Sequence, residues 1–434
     1  MGIYDQAIWQ YSRFLNPFNT IIQRHILGDH LSLTLPLLAP LYWIWNDVRI
    51  LLIFQSVWIC FSVLAIYKLA KLRKFSNFTS LSISFIFSIF YGIQQAIYFD
   101  FHPIVIAVGL LVWMTYFLES KQIKFFWIFL TLALLTQENT GIAVICLGLY
   151  YLFKNQYRRT GLILMIIGLI WSPIAIVIIK HFSNIGFEYW PDIPSSPRAF
   201  IFGLFNQEEK RQVWFYSFSW FSFLPIFSPG ALLAVTADLS QYFVTGKNFF
   251  QMWSPYMHHR AILDLFLTLG TLDGIMLFKK IKVKPIVLTI ILLLICIFLQ
   301  YYYHFPLNKL TKSAYWKEES WMDDNQKMIS SLNPEAKIVT QQNLIPHISH
   351  RVDIRLAWPR QHSDIQSCQQ PNCWWLDFGG QPDYLLVDLH PNQWITQLLE
   401  TNENFSSAVN NMEQSGKIKL VNKINNIYLY EVSN

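Results

Sequence analysis

Four short polar groups interrupt the long apolar runs of this 434-residue chain: Asp5-Gln6, Gly28-Asp29-His30, Asp100-Phe101-His102-Pro103 and Gln137-Glu138-Asn139. An ionised carboxylate within a helical membrane segment costs about 3 kcal/mol on insertion scales, so it is rarely left without a role. Each acid could serve as a general base, a metal ligand or an anchor for a sugar hydroxyl. Asp5, Asp100 and Glu138 are therefore the candidate catalytic groups, and Glu138, set between two apolar runs, has the strongest case. Gln6, Asp29, His30, His102 and Gln137 are the candidate substrate contacts beside them. Asp5, Asp100 and His102 are also the candidate ligands should a divalent metal take part. The plainer alternative for any one group is a water-exposed residue at a helix end.

A fifth group, His258-His259-Arg260 in MWSPYMHHRA, offers positive charge. Arg forks onto phosphate oxygens, so the trio is a candidate phosphate contact. A solvated loop is the equal alternative, and adjacent His residues are not expected both to point inward. Asp238, Asp264 and Asp273 lie within apolar runs and point instead to a proton or ion relay.

The elements that must position these residues are membrane helices. Charged residues make up 14% of the chain and hydrophobic ones 53%, where a soluble chain carries about a quarter charged residues. Runs near 20 apolar residues match a hydrocarbon core about 30 Å thick. Spans are expected at 49–68, 78–98, 104–119, 125–137, 140–153, 161–179, 211–227, 230–244, 261–278 and 284–303. Residues 1–48 form an outer loop, in which 31–45, with Pro36 and Pro40, is a re-entrant or interfacial piece. Residues 304–434 read as a soluble α/β domain, with strands at 336–342, 352–358, 383–389, 417–423 and 427–433 and helices at 390–401 and 404–415. The fold class is thus an α-helical polytopic membrane bundle with a small C-terminal α/β domain.

The net charge of +6 sits in short Lys/Arg clusters between apolar runs: Lys68 to Lys74, Lys121/Lys124, Lys154 to Arg159 and Lys279 to Lys284. That is the pattern of cytoplasmic loops and argues against nucleic acid as a partner. By parity the four polar groups, the His-His-Arg loop and residues 304–434 all fall outside the cytoplasm, in a multi-pass plasma-membrane protein. An outer N-terminus leads us to expect a further helix upstream of Met1. Cys60, Cys146 and Cys296 lie in apolar runs, whereas Cys368 and Cys373 in CQQPNC are expected to pair if exported. The aromatic share of 17% is accounted for by Trp and Tyr at the headgroup level.

GIYDQAIW (2–9), LGDHLSLTLPLLAPLYWIW (27–45), LLIFQS (51–56), FDFHPIVIA (99–107), LLTQENTGIAV (134–144) and FLPIFSPGALLAV (223–235) together resemble the domain-of-unknown-function-2079 family of membrane proteins. YMHHRA (256–261) resembles a variant of that family's His-Tyr element, and IPHISHRVDI and PDYLLVDL extend the likeness through the C-terminal domain. The resemblance implies a GT-C-type glycosyltransferase-like fold, a polyprenyl-phosphate sugar donor, and an acid in the first outer loop as base or metal-assisted activator, which places Asp5 there. Relatives usually carry another Asp before the Gly-Ile-Tyr-Asp-Gln run, at a position that would precede Met1. Gln137-Glu138 stands where the family has Lys-Glu, so the cation beside the carboxylate is absent. The expected function is transfer of a sugar from a lipid-linked donor in the membrane, and the rival is a transporter or a non-catalytic membrane scaffold.

Overall fold

The computed structural model of the chain describes residues 1–190, 193–244, 252–363, 373–391 and 400–433. They form two compact units: residues 1–26, 36–48 and 316–434 make a mixed unit, and residues 27–35 and 49–315 a helical one. The N-terminal segment read as a loop is thus shared between them. It contributes α1 (Gly2–Ser12), the short antiparallel pair β1 (Phe18–Asn19) and β2 (Arg24–His25), and α2 (Leu41–Ile44) to the mixed unit. Pro36 and Pro40 keep 35–44 to a 3-10 turn at Leu35–Leu38 followed by that single helical turn.

The helical unit runs through α3 (Arg49–Leu72), α4 (Asn77–Ser88), α5 (Tyr91–Phe99), α6 (Pro103–Glu119), α7 (Ile123–Leu134), α8 (Thr140–Leu152), α9 (Arg158–Phe182), α10 (Pro197–Gly203), α11 (Glu208–Trp220), α12 (Pro229–Phe243), α13 (Leu263–Lys280) and α14 (Pro285–Tyr302). Every expected span holds a helix, but the lengths differ. Four helical stretches among the described residues are long and apolar enough to cross a membrane: Arg49–Leu72, Asn155–Phe182, His258–Lys280 and Pro285–Tyr302. The run read as one span at 78–98 is the pair α4 and α5, bent by 41°, and counts as a fifth if taken together. The run read as 125–137 stops at Leu134, because the Thr140 hydroxyl caps the carbonyls of Ala133 and Gln137 and turns the chain into α8.

Burial ranks these helices. The span window of His258–Lys280 is 78% buried and that of Asn155–Phe182 only 22%. The first is therefore the centre of the bundle, and the second turns most of its apolar surface outward, as lipid-facing helices do. Helices α8 and α9 pack through glycines: a Cβ on Gly168 would come within 2.3 Å of the Gly141 carbonyl oxygen, and one on Gly148 within 2.6 Å of that of Gly161. Without a hydrophobic drive between helices in lipid, such close backbone contact supplies the attraction.

The mixed unit is completed by α15 (Ser320–Ser330), β3 (Ile338–Thr340), α16 (Ile345–Ile348), β4 (Ile354–Leu356), β5 (Trp358–His362), β6 (Cys373–Asp377), β7 (Tyr384–Asp388), α17 (Asn402–Gln414), β8 (Ile418–Ile424) and β9 (Ile427–Val432). Its five-stranded sheet has the order β4-β3-β7-β9-β8, parallel across β4, β3 and β7 and antiparallel beyond. The two-residue alternation of strands splits its core. Ile338 and Leu386 pack on one face with Ile21 and Ile345, while Val339, Leu385 and Val387 pack on the other with Phe405 and Met412 of α17. Ile21 shows that the N-terminal segment completes this core. The expected strands are all present; β5 and β6, a separate antiparallel pair, were not anticipated. The helix expected at 390–401 falls largely outside the described residues.

Candidate functional site

The mixed unit holds Asp5 and Gln6. Asp5, on α1, is fully buried. Its carboxylate accepts hydrogen bonds from the Tyr42 and Ser349 hydroxyls, and the His350 Nε2 lies 3.1 Å away. Burial first, and the Asp5 charge next, push the Tyr42 phenol far above its ordinary range, so it stays a donor. Trp9 stacks on His350 at 5.9 Å. Gln6 is equally engaged: its amide donates to Thr20 and to the Arg351 carbonyl and accepts from the Thr20 amide. These bonds fasten α1 to the strand region around Ile354, which Thr20 also binds.

The other candidates lie in the helical unit. Pro103 at the first position of α6 forces His102 into an extended conformation, so the chain leaves α5 at Asp100 and re-enters a helix only after His102. Within that break the Asp100 carboxylate lies 2.5 Å from His102 Nδ1. Gln55 of α3, fully buried in an apolar span, clamps the break: its amide donates to the Asp100 carbonyl and accepts from the His102 amide. Burial pushes the Asp100 carboxyl up, and the His102 hydrogen bond and charge outweigh it, holding it below the ordinary range.

The break between α7 and α8 carries Gln137, Glu138 and Asn139. Glu138 Oε1 lies 2.7 Å from His30 Nδ1, and Oε2 accepts from the Leu31 amide at 3.1 Å. Gln137 reaches the same imidazole at 3.4 Å, and Asn139 donates to the Tyr242 hydroxyl. Burial pushes the Glu138 carboxyl up, but the charge and hydrogen bond of His30 hold it below its ordinary range. Asp29 is half-buried in the turn before His30.

These residues open onto a cavity of about 400 Å³. Its lining includes the polar His30, Gln137, Glu138, Asn139, Tyr242 and His259 and the largely apolar Ile142, Ile176, Phe187, Tyr189, Trp190 and Met252. Tyr189 stacks on His30 at 4.9 Å. Tyr189, Trp190 and Tyr242 escaped the sequence reading, because single aromatics in a chain this rich in them carry no signal. Gln55 had one: it is the lone amide of LLIFQS in an apolar run.

His258 and His259 do both turn into the protein, contrary to the expectation for neighbours, because they begin a 3-10 turn rather than an extended loop. His258 stacks on His102 at 3.7 Å and lies 4.1 Å from His259, which stacks in turn on Tyr242 at 5.0 Å. A continuous row of rings therefore joins the Asp100 break to the cavity. Arg260 is fully buried behind that wall, its guanidinium 4.9 Å from the centre of the Tyr242 ring and donating to the Met252 carbonyl. Its Nε and Nη1 have no hydrogen-bond partner among the described residues. Gly92 makes room for this turn: a Cβ there would meet the Arg260 carbonyl oxygen at 2.6 Å.

The three intramembrane acids have separate fates. Asp273 joins a network in which Arg73 bridges it to Glu119, with Lys154 at 2.5 Å and the Ser228 hydroxyl at 2.7 Å. Asp238 accepts from Gln241 and Asp264 from Thr268, each keeping one oxygen without a partner among the described residues. No group of three or more His, Cys, Asp or Glu side chains among the described residues could hold a metal ion. Asp100 and His102 engage each other, and Asp5 belongs to the other unit. Cys373 is disulfide-bonded and Cys60, Cys146 and Cys296 are free; Cys368, the fifth cysteine, lies outside the described residues.

Several apolar helices long enough to span, buried polar breaks between them and a small C-terminal sheet define a polytopic helical membrane protein. Residues 1–415 match the model of the family described as predicted membrane protein (DUF2079), and the chain belongs to that family. A comparison with curated proteins finds no match.

Proposed function

We propose that this protein transfers a sugar, or a similar group, from a lipid-phosphate donor to an acceptor hydroxyl at the extracytoplasmic face of the plasma membrane. The observation that carries the reading is a cavity whose lining combines ionisable and amide groups with aromatic and aliphatic ones. Glu138, His30, Asn139 and His259 line it together with Phe187, Tyr189, Trp190 and Ile176. An amphiphile suits such a mixed lining, with its phosphate and sugar against the polar groups and its first isoprenoid units against the aromatic and aliphatic ones. Transfer forms a bond between the acceptor oxygen and the anomeric carbon, and breaks the bond from that carbon to the phosphate oxygen, which keeps the electron pair. The His30–Glu138 pair takes the acceptor proton. Arg260, buried behind the row of rings that ends at His259, supplies positive potential where charge develops on the leaving phosphate. Asp100 holds His102, the first member of that row. The disulfide at Cys373 supports an exported C-terminal domain.

The full chain in lipid vesicles, given a polyprenyl-phosphate hexose labelled in the sugar and a membrane-glycan acceptor fraction, should move label from lipid to acceptor. Label that stays on the lipid, with the labelled lipid or a proton crossing the bilayer instead, would favour the transporter reading. That rival draws on the oxygens of Asp238 and Asp264 that have no partner among the described residues.

A further inference from the structure

The segment 35–45 presents apolar side chains in two directions. Leu38, Ala39 and Tyr42 are buried in the mixed unit, whereas Leu37, Trp43 and Ile44 point away from it with 64%, 58% and 81% of their surface exposed. A second exposed apolar group lies beside them at the end of α1 and the start of β1: Phe14, at 86%, with Leu15 and Phe18. The Phe14 and Trp43 rings lie 6.2 Å apart, and the Trp43 indole donates to the Ser12 carbonyl at 2.8 Å, so the two groups form one fixed patch. Other large exposed apolar residues of this unit lie on other segments, such as Val352 in the loop before β4 and Val421 on β8. A single exposed apolar residue is ordinary, but a contiguous aromatic and aliphatic patch marks a surface that something covers.

We propose that this patch is a bilayer anchor, with Phe14, Leu37, Trp43 and Ile44 seated at the boundary between lipid headgroups and acyl chains. The covering partner follows from chain connectivity. Trp45 precedes Arg49 by four residues, which can reach no more than about 14 Å even when fully extended. Arg49 opens the span Arg49–Leu72, so the patch is tethered at a membrane surface. Its chemistry also fits that surface: Trp, Phe, Leu and Ile form the patch, and the exposed cations Arg13 and Arg49 border it in sequence, as at an amphipathic interfacial element. The segment lies on the membrane and does not loop into it, since its inner face is already committed to Leu38, Ala39 and Tyr42.

The test uses the full chain in phosphatidylcholine–phosphatidylglycerol vesicles, in a Cys60→Ala background that removes the exposed free thiol. Single cysteines replace Phe14, Leu37 or Ile44, with Val352 and Val421 as water-facing controls, and each carries a spin label. Collision with oxygen, which concentrates in lipid, should exceed collision with a water-soluble nickel complex several-fold at the first three positions, and the ratio should invert at the controls. Ratios at 14, 37 and 44 equal to the controls would overturn the proposal. Shielding from both agents, with dipolar broadening that vanishes on dilution by unlabelled protein, would overturn it in favour of a second copy of the chain. The three probes stand on two separate segments and replace exposed side chains, so a folding defect in one leaves the others decisive.

Discussion

Asp5 and Glu138 are acids of the same kind in the sequence, each beside an apolar run, and the two units treat them differently. In the mixed unit Asp5 is fully enclosed by Tyr42, Ser349 and His350. In the helical unit Glu138 is held by His30 and the Leu31 amide, yet it lines a cavity. A carboxylate fully enclosed among fixed donors acts as a fastener, because a substrate could reach it only if those bonds broke first. A carboxylate that steadies an imidazole at the edge of a cavity is arranged for chemistry. The comparison places Asp5 between α1, α2 and the residues that follow α16, and Glu138 at the cavity on which the proposed reaction rests.

Four experiments press on that contrast. Glu138→Gln keeps the shape and an acceptor for Leu31 but loses the charge beside His30; sugar transfer should fall by about 100-fold or more, as for loss of acid–base assistance. Its thermal unfolding should stay near that of the parent protein, and unfolding well below it would move Glu138 into the fastener class. Asp5→Ala should do the opposite. It strands two buried hydroxyls and should lower stability on the order of 3 kcal/mol, read by denaturant unfolding, while activity per folded molecule persists. A folded Asp5→Ala protein without activity would restore Asp5 as the base and break the comparison.

Tyr189→Ala removes the ring stacked on His30 and should weaken donor binding by about 1 kcal/mol, or about fivefold in Kd. Unchanged affinity would place the ligand elsewhere in the helical unit. The smallest effect is on pH. Glu138 is held below its ordinary range, so its contribution to stability is present above its unfolded value of about 4.3. That contribution is lost as the pH falls through the lower folded value. The acid-unfolding curve of Glu138→Gln should lack this component, and identical curves would mean the pair adds nothing to the fold.

Hydrophobic runs near membrane thickness marked ten segments that each hold a helix, though not α1, α10 or α15, and DYLLVDL and IYLYEVS marked β7 and β9 as strands. Local chemistry was equally legible where one residue dictates the backbone. Pro103 fixes the break that carries Asp100 and His102, and the polar TQENT fixes the one that carries Glu138. What the sequence did not reveal are distances between segments far apart along it. His30 and Glu138 are 108 residues apart, and Tyr42 and Ser349 reach Asp5 from opposite ends of the chain. Hydropathy records whether a residue leaves water and says nothing about which partner it meets there. Only the packing of α1 into the core with Ile338 and Leu386, and of residues 27–35 against Glu138, decided which acid became a fastener and which one faces a cavity.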